Sequence, residues 1–310
     1  MRPDLTVIVC TYNRSQSLGR ILARLAEQRI EGFEYEVIVV DNNSRDDTRQ
    51  VVTEHQPAFE GRLRYLMETR QGLSYARNAG IGQARGELVA FTDDDVEPED
   101  TWLSKLHAAF TRFEADCVYG KVLPRWDAQP PAWLGHYFQQ RLAIVDRGGE
   151  TRVITSAKEQ FVGANFAVRL VVLEYLGGFN ITLGNRGTRL TGEEDKEFFD
   201  RLMGIGARIV YVPDAVVHHH VPLERMSQRY FAQWHFEHGV AAARVTTRAR
   251  GRELLGIPLW AIREFLMNLQ VFVRGLIRRD RNQRLIAKMR LIYGLGFFAG
   301  HLGWAGTGVP

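Results

Sequence analysis

Short apolar runs, many of them β-branched, alternate with amphipathic stretches through the first part of the chain. Four of these runs predict strands, at residues 5–10, 35–40, 63–67 and 87–91. The stretches between them place apolar residues at helical spacing. Strands that alternate with helices indicate right-handed crossovers, so we predict an α/β fold with a mostly parallel sheet flanked by helices.

The pattern changes towards the C-terminus. Residues 193–203 predict a helix and 208–212 a strand, with Pro213 and Pro222 marking the exit from the α/β part. Beyond them, long amphipathic helices are predicted at 223–248, 257–279 and 283–295, with no further strand. We therefore predict an α/β domain over residues 1–222 and a basic, amphipathic helical extension over residues 223–310.

The composition is that of a globular protein, with 45% hydrophobic and 25% charged residues in a chain of 310. Cys10 and Cys117 lie far apart in apolar surroundings, which predicts buried thiols and not a disulfide. The N-terminus leads directly into an apolar strand, and no apolar run reaches the ~18 residues of a membrane span. We expect a cytoplasmic protein, with peripheral contact to the inner face of the membrane as an open alternative.

Arginine and lysine are concentrated between residues 244 and 290, although the net charge of the chain is only +4. Trp260, Phe265 and Phe272 lie among these basic residues, which suits an amphipathic surface on an anionic membrane. The alternative is a helical cap with a solvated arginine face. Neither a zinc-ligand pattern nor an aromatic RNA-binding motif accompanies the basic residues, so we do not expect a nucleic acid partner.

Ligands of open α/β sheets bind beyond the C-terminal ends of the strands. The fourth predicted strand leads into Asp93, Asp94 and Asp95, three adjacent carboxylates that repel one another unless a cation lies among them. Mg²⁺ and Mn²⁺ prefer such oxygen ligands. An N-cap cluster is the alternative. Asp93 and Asp95 share one side of an extended chain, so we expect them to form the working pair, with Asp94 as structural support.

Other polar residues follow the same strand ends. Asp41 and Asn42, after the second strand, suit either a turn or the recognition of a nucleobase or ribose. Arg77 lies on a helix predicted to begin near Gly72, where its guanidinium group could bind a diphosphate or pair with a surface acid.

Two further groups of residues have alternative interpretations. Glu193, Glu194 and Asp195 open a helix; Glu193 suits the helix dipole, whereas Asp195 could accept a proton from a hydroxyl group. The tract 218–220 consists of three histidines, which are either a surface feature or a source of one metal ligand. An aromatic segment suits either stacking on a sugar ring or packing as an insert; it contains Trp126, Trp133, Tyr137 and Phe138.

Taken together, these motifs resemble the family 2 glycosyltransferases in order and spacing. The resemblance begins with four strings, at residues 7–14, 40–44, 76–80 and 93–95. It continues through three more, at residues 163–167, 177–179 and 194–195, and so covers roughly residues 5–222.

The resemblance implies a GT-A fold and an inverting transfer of a sugar from a nucleoside-diphosphate sugar to a hydroxyl acceptor, in cell-surface polysaccharide or glycolipid assembly. It implies a donor half at about 1–120, an acceptor half at about 121–222, and a glycan or lipid-linked acceptor. By the same resemblance Glu194 and Asp195 are the catalytic pair, with Asp195 as the base. A divalent cation, Mn²⁺ or Mg²⁺, is implied at Asp95, Asp93 and His219.

The resemblance also implies a set of donor-binding residues: Thr11, Tyr12, Arg14, Asp41, Asn42, Arg77, Asp93 and Asp94. Many members carry two aspartates where this chain has Asp41 and Asn42, and the second of them commonly reads uracil. A UDP-sugar is therefore the first candidate donor, with GDP- and dTDP-sugars left open. The alternatives are a non-catalytic nucleotide-sugar-binding protein and a sugar nucleotidyltransferase, although the latter needs a Gly- and Arg-rich phosphate loop that is not present at residues 11–14.

Overall fold

The computed structural model describes residues 2–187, 192–245 and 253–303, and these residues fold into two compact units. The first unit holds 2–127, 140–187 and 194–221, and the second holds 128–139, 192–193, 222–245 and 253–303. Residues 246–248 of the helix predicted at 223–248, and residues 249–252 and 304–310 of the predicted extension, lie outside the described residues.

The strands are β1 (Leu5–Thr11), β2 (Tyr35–Asp41), β3 (Leu63–Met67), β4 (Leu88–Asp93), β5 (Val96–Pro98), β6 (Cys117–Trp126), β7 (Arg152–Val153), β8 (Phe166–Arg169), β9 (Ile209–Val221), β10 (Glu253–Leu254) and β11 (Ile257–Pro258). The helices are α1 (Ser15–Ala26), α2 (Thr48–His55), α3 (Leu73–Ile81), α4 (Trp102–Phe113), α5 (His136–Gln139), α6 (Leu170–Leu176), α7 (Glu194–Gly204), α8 (Gln228–Val245), α9 (Leu259–Ile277) and α10 (Arg281–His301). Short 3-10 turns occur at Gln56–Phe59, Gln140–Leu142, Ala157–Glu159 and Leu223–Met226.

The first unit is built on a nine-stranded sheet in the order β3-β2-β1-β4-β8-β6-β9-β5, with β7 paired to β9. Strands β3, β2, β1 and β4 run parallel, as do β6 and β9, whereas β8 is antiparallel to both of its neighbours. The predicted α/β fold with a mostly parallel sheet is therefore confirmed. The register pairs Thr11 with Asp41 and Cys10 with Asp93, so the C-terminal ends of three parallel strands lie side by side.

Burial on both faces explains why β1, β2 and β4 are continuous apolar runs. In β1 the side chains of Leu5, Val7 and Val9 are completely buried. Helix α3 lies very close to this sheet, because a Cβ added at Gly80 would be 2.8 Å from the side chain of Ile8. Cys10 and Cys117 are free thiols within this unit, as predicted; Cys117 is buried, whereas Cys10 is partly buried.

The structure corrects several predicted boundaries. Strand β9 runs through Pro213 and the three histidines, so the prediction that Pro213 marks the end of a strand is wrong. A proline is tolerated there because the pairing with β6 jumps from Gly120–Val212 to Lys121–Val216, leaving Pro213 in a bulge without a ladder partner in β6. The helix predicted at 193–203 begins one residue later, because Glu193 has a φ of 68° and precedes α7.

The second unit is mainly helical, with a two-residue hairpin of β10 and β11 that the apolar pattern did not predict. Helices α8 and α10 pack with their backbones close together, because a Cβ at Gly239 would lie 2.1 Å from the carbonyl oxygen of Tyr293. Within this unit Trp133 and Phe138 pack edge to face against Phe231, which favours the insert interpretation of these aromatic residues. Among the residues that the structure describes, no helix has the length and hydropathy to cross a bilayer.

Candidate active site

Hydrogen bonds join the loops that follow β1 and β2 at the C-terminal edge of the sheet. The backbone N–H of Asn13 donates to Ser44 Oγ at 2.9 Å, and Asn13 Oδ1 accepts from the N–H of Arg45 at 2.8 Å. Asn13 and Asn43 have positive φ angles of 52° and 67°, which asparagine tolerates better than most residues. The two loops therefore form one rigid rim beside the acidic residues.

Asp94 organises this rim from a buried position. Its carboxylate accepts from Thr11 Oγ1 at 2.7 Å and from Arg14 Nη1 at 2.9 Å. Burial raises the pKa of Asp94, while Arg14 and the hydrogen bond from Thr11 lower it. The geometry gives Asp94 and Thr11 a supporting part, whereas the side chain of Arg14 is 44% exposed and also contacts Asp95 at 3.0 Å.

Asp93 and Asp95 lie on the open side of the same segment. The side chain of Asp93 is 33% exposed and that of Asp95 is 10% exposed. Burial raises the pKa of Asp93 to about 6; Arg77 opposes this shift, and the carboxylates of Asp95 and Asp195 add to it. A positive charge bound here would relieve this repulsion.

The histidine tract is divided by the alternation of strand β9. His218 and His220 point to one face, where they pair with Glu99 at 3.3 Å and Asp127 at 2.5 Å. His219 points to the other face, where its Nε2 lies 3.4 Å from Asp95 Oδ1. The structure thus brings His219, and neither neighbour, to the acidic segment.

This donor set fits a divalent cation. Carboxylate oxygen and imidazole nitrogen are both ligands of Mn²⁺, and 3.4 Å is close to the about 3.0 Å that separates neighbouring ligands around an octahedral ion. Among the described residues, no three His, Cys, Asp or Glu side chains are arranged as a metal-holding group. The oxygens of a diphosphate are further ligands that Mg²⁺ accepts beside carboxylates.

Arg77 is the buried cation at the centre of the site, with a side chain that is 3% exposed. Its Nη1 donates to Asp195 Oδ1 at 2.6 Å and to Glu194 Oε1 at 3.1 Å. Its Nη2 lies 3.7 Å from Asp93 Oδ1, and the guanidinium group stacks 5.0 Å from the ring of Phe179. These contacts favour a part in holding the carboxylates over the predicted direct contact with a donor.

Asp195 and Glu194 occupy different environments although they are adjacent on α7. Asp195 is 24% exposed, and its Oδ2 accepts from the backbone N–H of Gly163 at 2.7 Å. Glu194 is buried, its Oε2 has no hydrogen-bond partner among the described residues, and burial raises its pKa to about 8, with Asp195 adding to the shift. Asp195 is therefore an accessible carboxylate, whereas Glu194 suits a neutral acid that supports Arg77.

Asn42 and Asp41 were predicted to contact the donor, but both make extensive contacts within the protein. The amide nitrogen of Asn42 donates to the carbonyls of Glu68 and Arg70, and its Oδ1 accepts from the N–H of Gly72 at 2.7 Å and from Gln71. This use of the whole amide favours the turn interpretation for Asn42.

Asp41 accepts from the N–H of Ser44 and from the hydroxyl of Tyr65, yet a carboxylate has further lone pairs to offer a ligand. Tyr12 is partly exposed at the end of β1, where it can face a ligand.

Sequence reasoning did not identify the part that Gly163 has in this site. A Cβ at this position would lie 2.0 Å from Arg77 Nη2 and 2.9 Å from Asp195 Oδ2, so only glycine lets the backbone approach the ion pair. The motif at residues 163–167 had contributed to the resemblance, but a sequence motif does not reveal that the side chains of Arg77 and Asp195 lie against its glycine.

Comparisons with known proteins identify the family of this chain. The sequence matches the family described as Glycosyl transferase family 2 over residues 6–176. It is 28% identical over 240 residues to the succinoglycan biosynthesis protein ExoM of Rhizobium meliloti, covering 76% of this chain and 73% of that protein. It is 27% identical over 220 residues to a glucosyl-dolichyl phosphate glucuronosyltransferase of Haloferax volcanii, covering 69% of this chain and 68% of that protein.

A solved structure extends the comparison to the fold. The mannosyltransferase PcManGT from Pyrobaculum calidifontis, in complex with GDP-Man and Mn²⁺, aligns with a TM-score of 0.57 and 22% identity, covering 100% of this chain and 77% of that one. At this identity the likeness shows the fold, which is the GT-A fold that the resemblance implied. With more than half of its length matched to the family, the chain belongs to glycosyl transferase family 2 and is a glycosyltransferase.

Proposed function

We propose that this glycosyltransferase carries out a metal-dependent, inverting transfer from a nucleoside-diphosphate sugar, with Asp195 as the base. The observation that carries the proposal is the accessible Asp195 carboxylate, held by Arg77 and Gly163 on the same guanidinium group as the Asp93 carboxylate. One buried arginine thus links a base on α7 to the acidic segment on β4. A site that only bound a diphosphate would not require a carboxylate on α7 to be held beside the acidic segment.

The donor half supplies the binding contacts. We infer that Arg14, which is half-exposed beside Asp95, faces the diphosphate, and that Tyr12 and Asp41 face the nucleoside. We infer that Asp93 and Asp95, with His219, hold Mn²⁺ or Mg²⁺ when the donor is present. Such a cation supplies charge neutralisation for the diphosphate leaving group.

The protein residues then act on the acceptor. Asp195 takes the proton of the attacking hydroxyl, and attack from the face opposite the leaving group inverts the anomeric centre. Arg77 keeps the Asp195 carboxylate oriented, and Glu194 in its neutral form avoids a further negative charge beside it. Asp195 thus serves proton transfer and Glu194 serves orientation through Arg77, which suits two acids in different environments.

The proposed donor and acceptor rest on different observations. A UDP-sugar remains the first candidate donor. GDP- and dTDP-sugars stay open because the Asn42 amide is used within the protein, so other groups would recognise the nucleobase. The relative named for succinoglycan biosynthesis and the relative named for a dolichyl phosphate substrate support a glycan or lipid-linked acceptor. We further propose that residues 1–222 are the catalytic domain and 223–310 the helical extension.

The test of the base is Asp195→Asn. We expect turnover to fall about 10²- to 10⁴-fold, the range for loss of general base catalysis, while binding of the nucleoside diphosphate with Mn²⁺ is retained. Calorimetry of nucleotide binding and a product assay on the same preparations separate the two effects. Loss of nucleotide binding together with turnover would contradict the assignment of Asp195 as base.

A second experiment tests the cation and the base together. A thermal-shift panel of UDP-, GDP- and dTDP-sugars, each with Mn²⁺ or with chelator, should give stabilisation by one nucleotide series that depends on the metal. Because a metal site completed by the diphosphate needs both components, Mn²⁺ alone should give a much smaller shift. Equal shifts with and without chelator would refute the proposed cation.

A further inference from the structure

Helix α9 uses one side for packing within the helical unit. Its buried residues Ala261, Asn268 and Gly275 are spaced by seven, so they lie on one side of the helix. On that side the backbone of Arg284 in α10 approaches within 3.3 Å of a Cβ placed at Gly275, and the rings of Phe265 and Phe298 lie 5.3 Å apart.

The opposite side of α9 carries large apolar side chains that are exposed. Leu266 is 52% exposed and Ile277 is 77% exposed. Leu259, Leu266, Val273 and Ile277 fall on nearly one line along the helix, and the exposed Leu269 and Leu276 lie next to it. Exposed apolar residues scattered singly are normal, but a continuous row over 19 residues of helix marks an interaction surface.

Basic residues accompany this apolar row. Arg263 and Arg274 are exposed on the helix itself, and Arg278 and Arg279 follow its last turn. The acids nearby are Glu264 and Asp280, and the carboxylate of Asp280 accepts from the N–H of Gln283 as the N-cap of α10. The surface is thus apolar along its centre and positively charged beside it and at its C-terminal end.

We propose that this face of α9, defined by Leu259, Leu266, Leu269, Val273, Leu276 and Ile277 with Arg263 and Arg274 along one side, lies on the surface of an anionic phospholipid bilayer. A helix that has apolar side chains on one face and arginines beside them is suited to lie in the plane of the interface. The arginines favour anionic headgroups, by about fivefold in affinity for each charge near the surface.

Two features argue against other occupants. A second copy of the chain packed on this face would bring its four arginines against those of the first, with only Glu264 and Asp280 as acids nearby. Spanning the bilayer is disfavoured because Arg263, Glu264 and Arg274 lie within the helix. A lipid surface satisfies both the apolar row and the charge. This proposal does not depend on the assignment of the base or the cation in the active site.

The experiment is flotation of the full chain with vesicles of phosphatidylcholine, with and without phosphatidylglycerol. We expect the protein to float with the anionic vesicles and to remain in the lower fractions with neutral ones. The variant Leu266→Gln/Val273→Gln/Ile277→Gln should lose flotation. The variant Arg274→Gln/Arg278→Gln should weaken binding about 25-fold, the product of two fivefold effects.

A matched control uses exposed apolar residues outside the helical unit. Val171 and Tyr175 on α6 are 64% and 76% exposed, and Val171→Gln/Tyr175→Gln should float like the unchanged protein. Circular dichroism melting of each variant verifies that it is folded. The charge variant keeps the apolar row, so it tests the proposal even if the triple variant does not fold.

Three results would overturn the proposal. The first is no flotation of the unchanged protein with anionic vesicles. The second is equal binding of the charge variant and the unchanged protein. The third is a dimer in analytical ultracentrifugation that the triple variant dissociates, since the face would then be covered by a second copy.

Discussion

Replacing Gly163 by alanine is the sharpest test of how the site holds its proposed base. The added Cβ would lie 2.0 Å from Arg77 Nη2, whereas ordinary contact between such atoms begins near about 3.5 Å. About 1.5 Å of movement is therefore required. Arginine side chains are usually flexible, but this one is 3% exposed and hydrogen-bonded to the side chains of Glu194 and Asp195, so it has little room to withdraw.

Each way of making room disturbs Asp195. If Arg77 moves, the 2.6 Å contact to Asp195 Oδ1 lengthens; if the backbone at Gly163 moves, the 2.7 Å hydrogen bond to Asp195 Oδ2 is lost. A misplacement of ~1 Å in a reacting group can cost about 10²-fold in rate, or about 2.7 kcal/mol. Overpacking should also lower the free energy of unfolding by about 1–3 kcal/mol.

The assay measures kcat with saturating donor and, separately, the affinity for the nucleoside diphosphate with Mn²⁺. We expect kcat for Gly163→Ala to fall about 10²-fold with little change in nucleotide affinity. The matched control is Gly149→Ala, because a Cβ at Gly149 meets no atom within 4 Å and its φ is not positive. If Gly163→Ala keeps the kcat and the melting temperature of the unchanged protein, Gly163 does not hold the base.

Further predictions concern other residues of the site. The folded protein keeps a proton on Glu194 up to a pH of about 8, whereas the unfolded chain releases it above the ordinary pKa of a glutamate. The free energy of unfolding should therefore fall as pH rises between these two values. In urea denaturation series with chelator, Glu194→Gln should flatten this pH dependence, and an unchanged dependence would refute the raised pKa. His219→Ala should raise the Mn²⁺ concentration for half-maximal activity about tenfold or more, with His218→Ala as the unaffected control; equal effects of the two would contradict the metal assignment. Asn42→Ala should lower the free energy of unfolding by about 1–3 kcal/mol in urea titrations, because its buried partners lose hydrogen bonds; a change in nucleotide preference without loss of stability would instead indicate base reading.

The alternation of apolar runs and amphipathic stretches was enough to predict the parallel part of the sheet, because burial on both faces makes β1, β2 and β4 predominantly apolar. The rule that ligands bind beyond the C-terminal ends of the strands predicted the edge of the sheet where the acidic residues lie. The apolar pattern did not predict the full length of β9, because Pro213 reads as a break and the bulge that accommodates it depends on pairing with β6.

The sequence was also enough to predict a chemical type for the site, since three adjacent aspartates and an acidic pair suggest a cation and a base wherever the chain folds them. The partners of each group were decided by tertiary contacts over long separations. Arg77 reaches residues that are 117 and 118 positions away, and His219 meets Asp95 only because β9 lies beside β5. Composition and local pattern determine which residues are buried and extended, but a residue's pKa, exposure and ion-pair partner depend on what the fold packs against it.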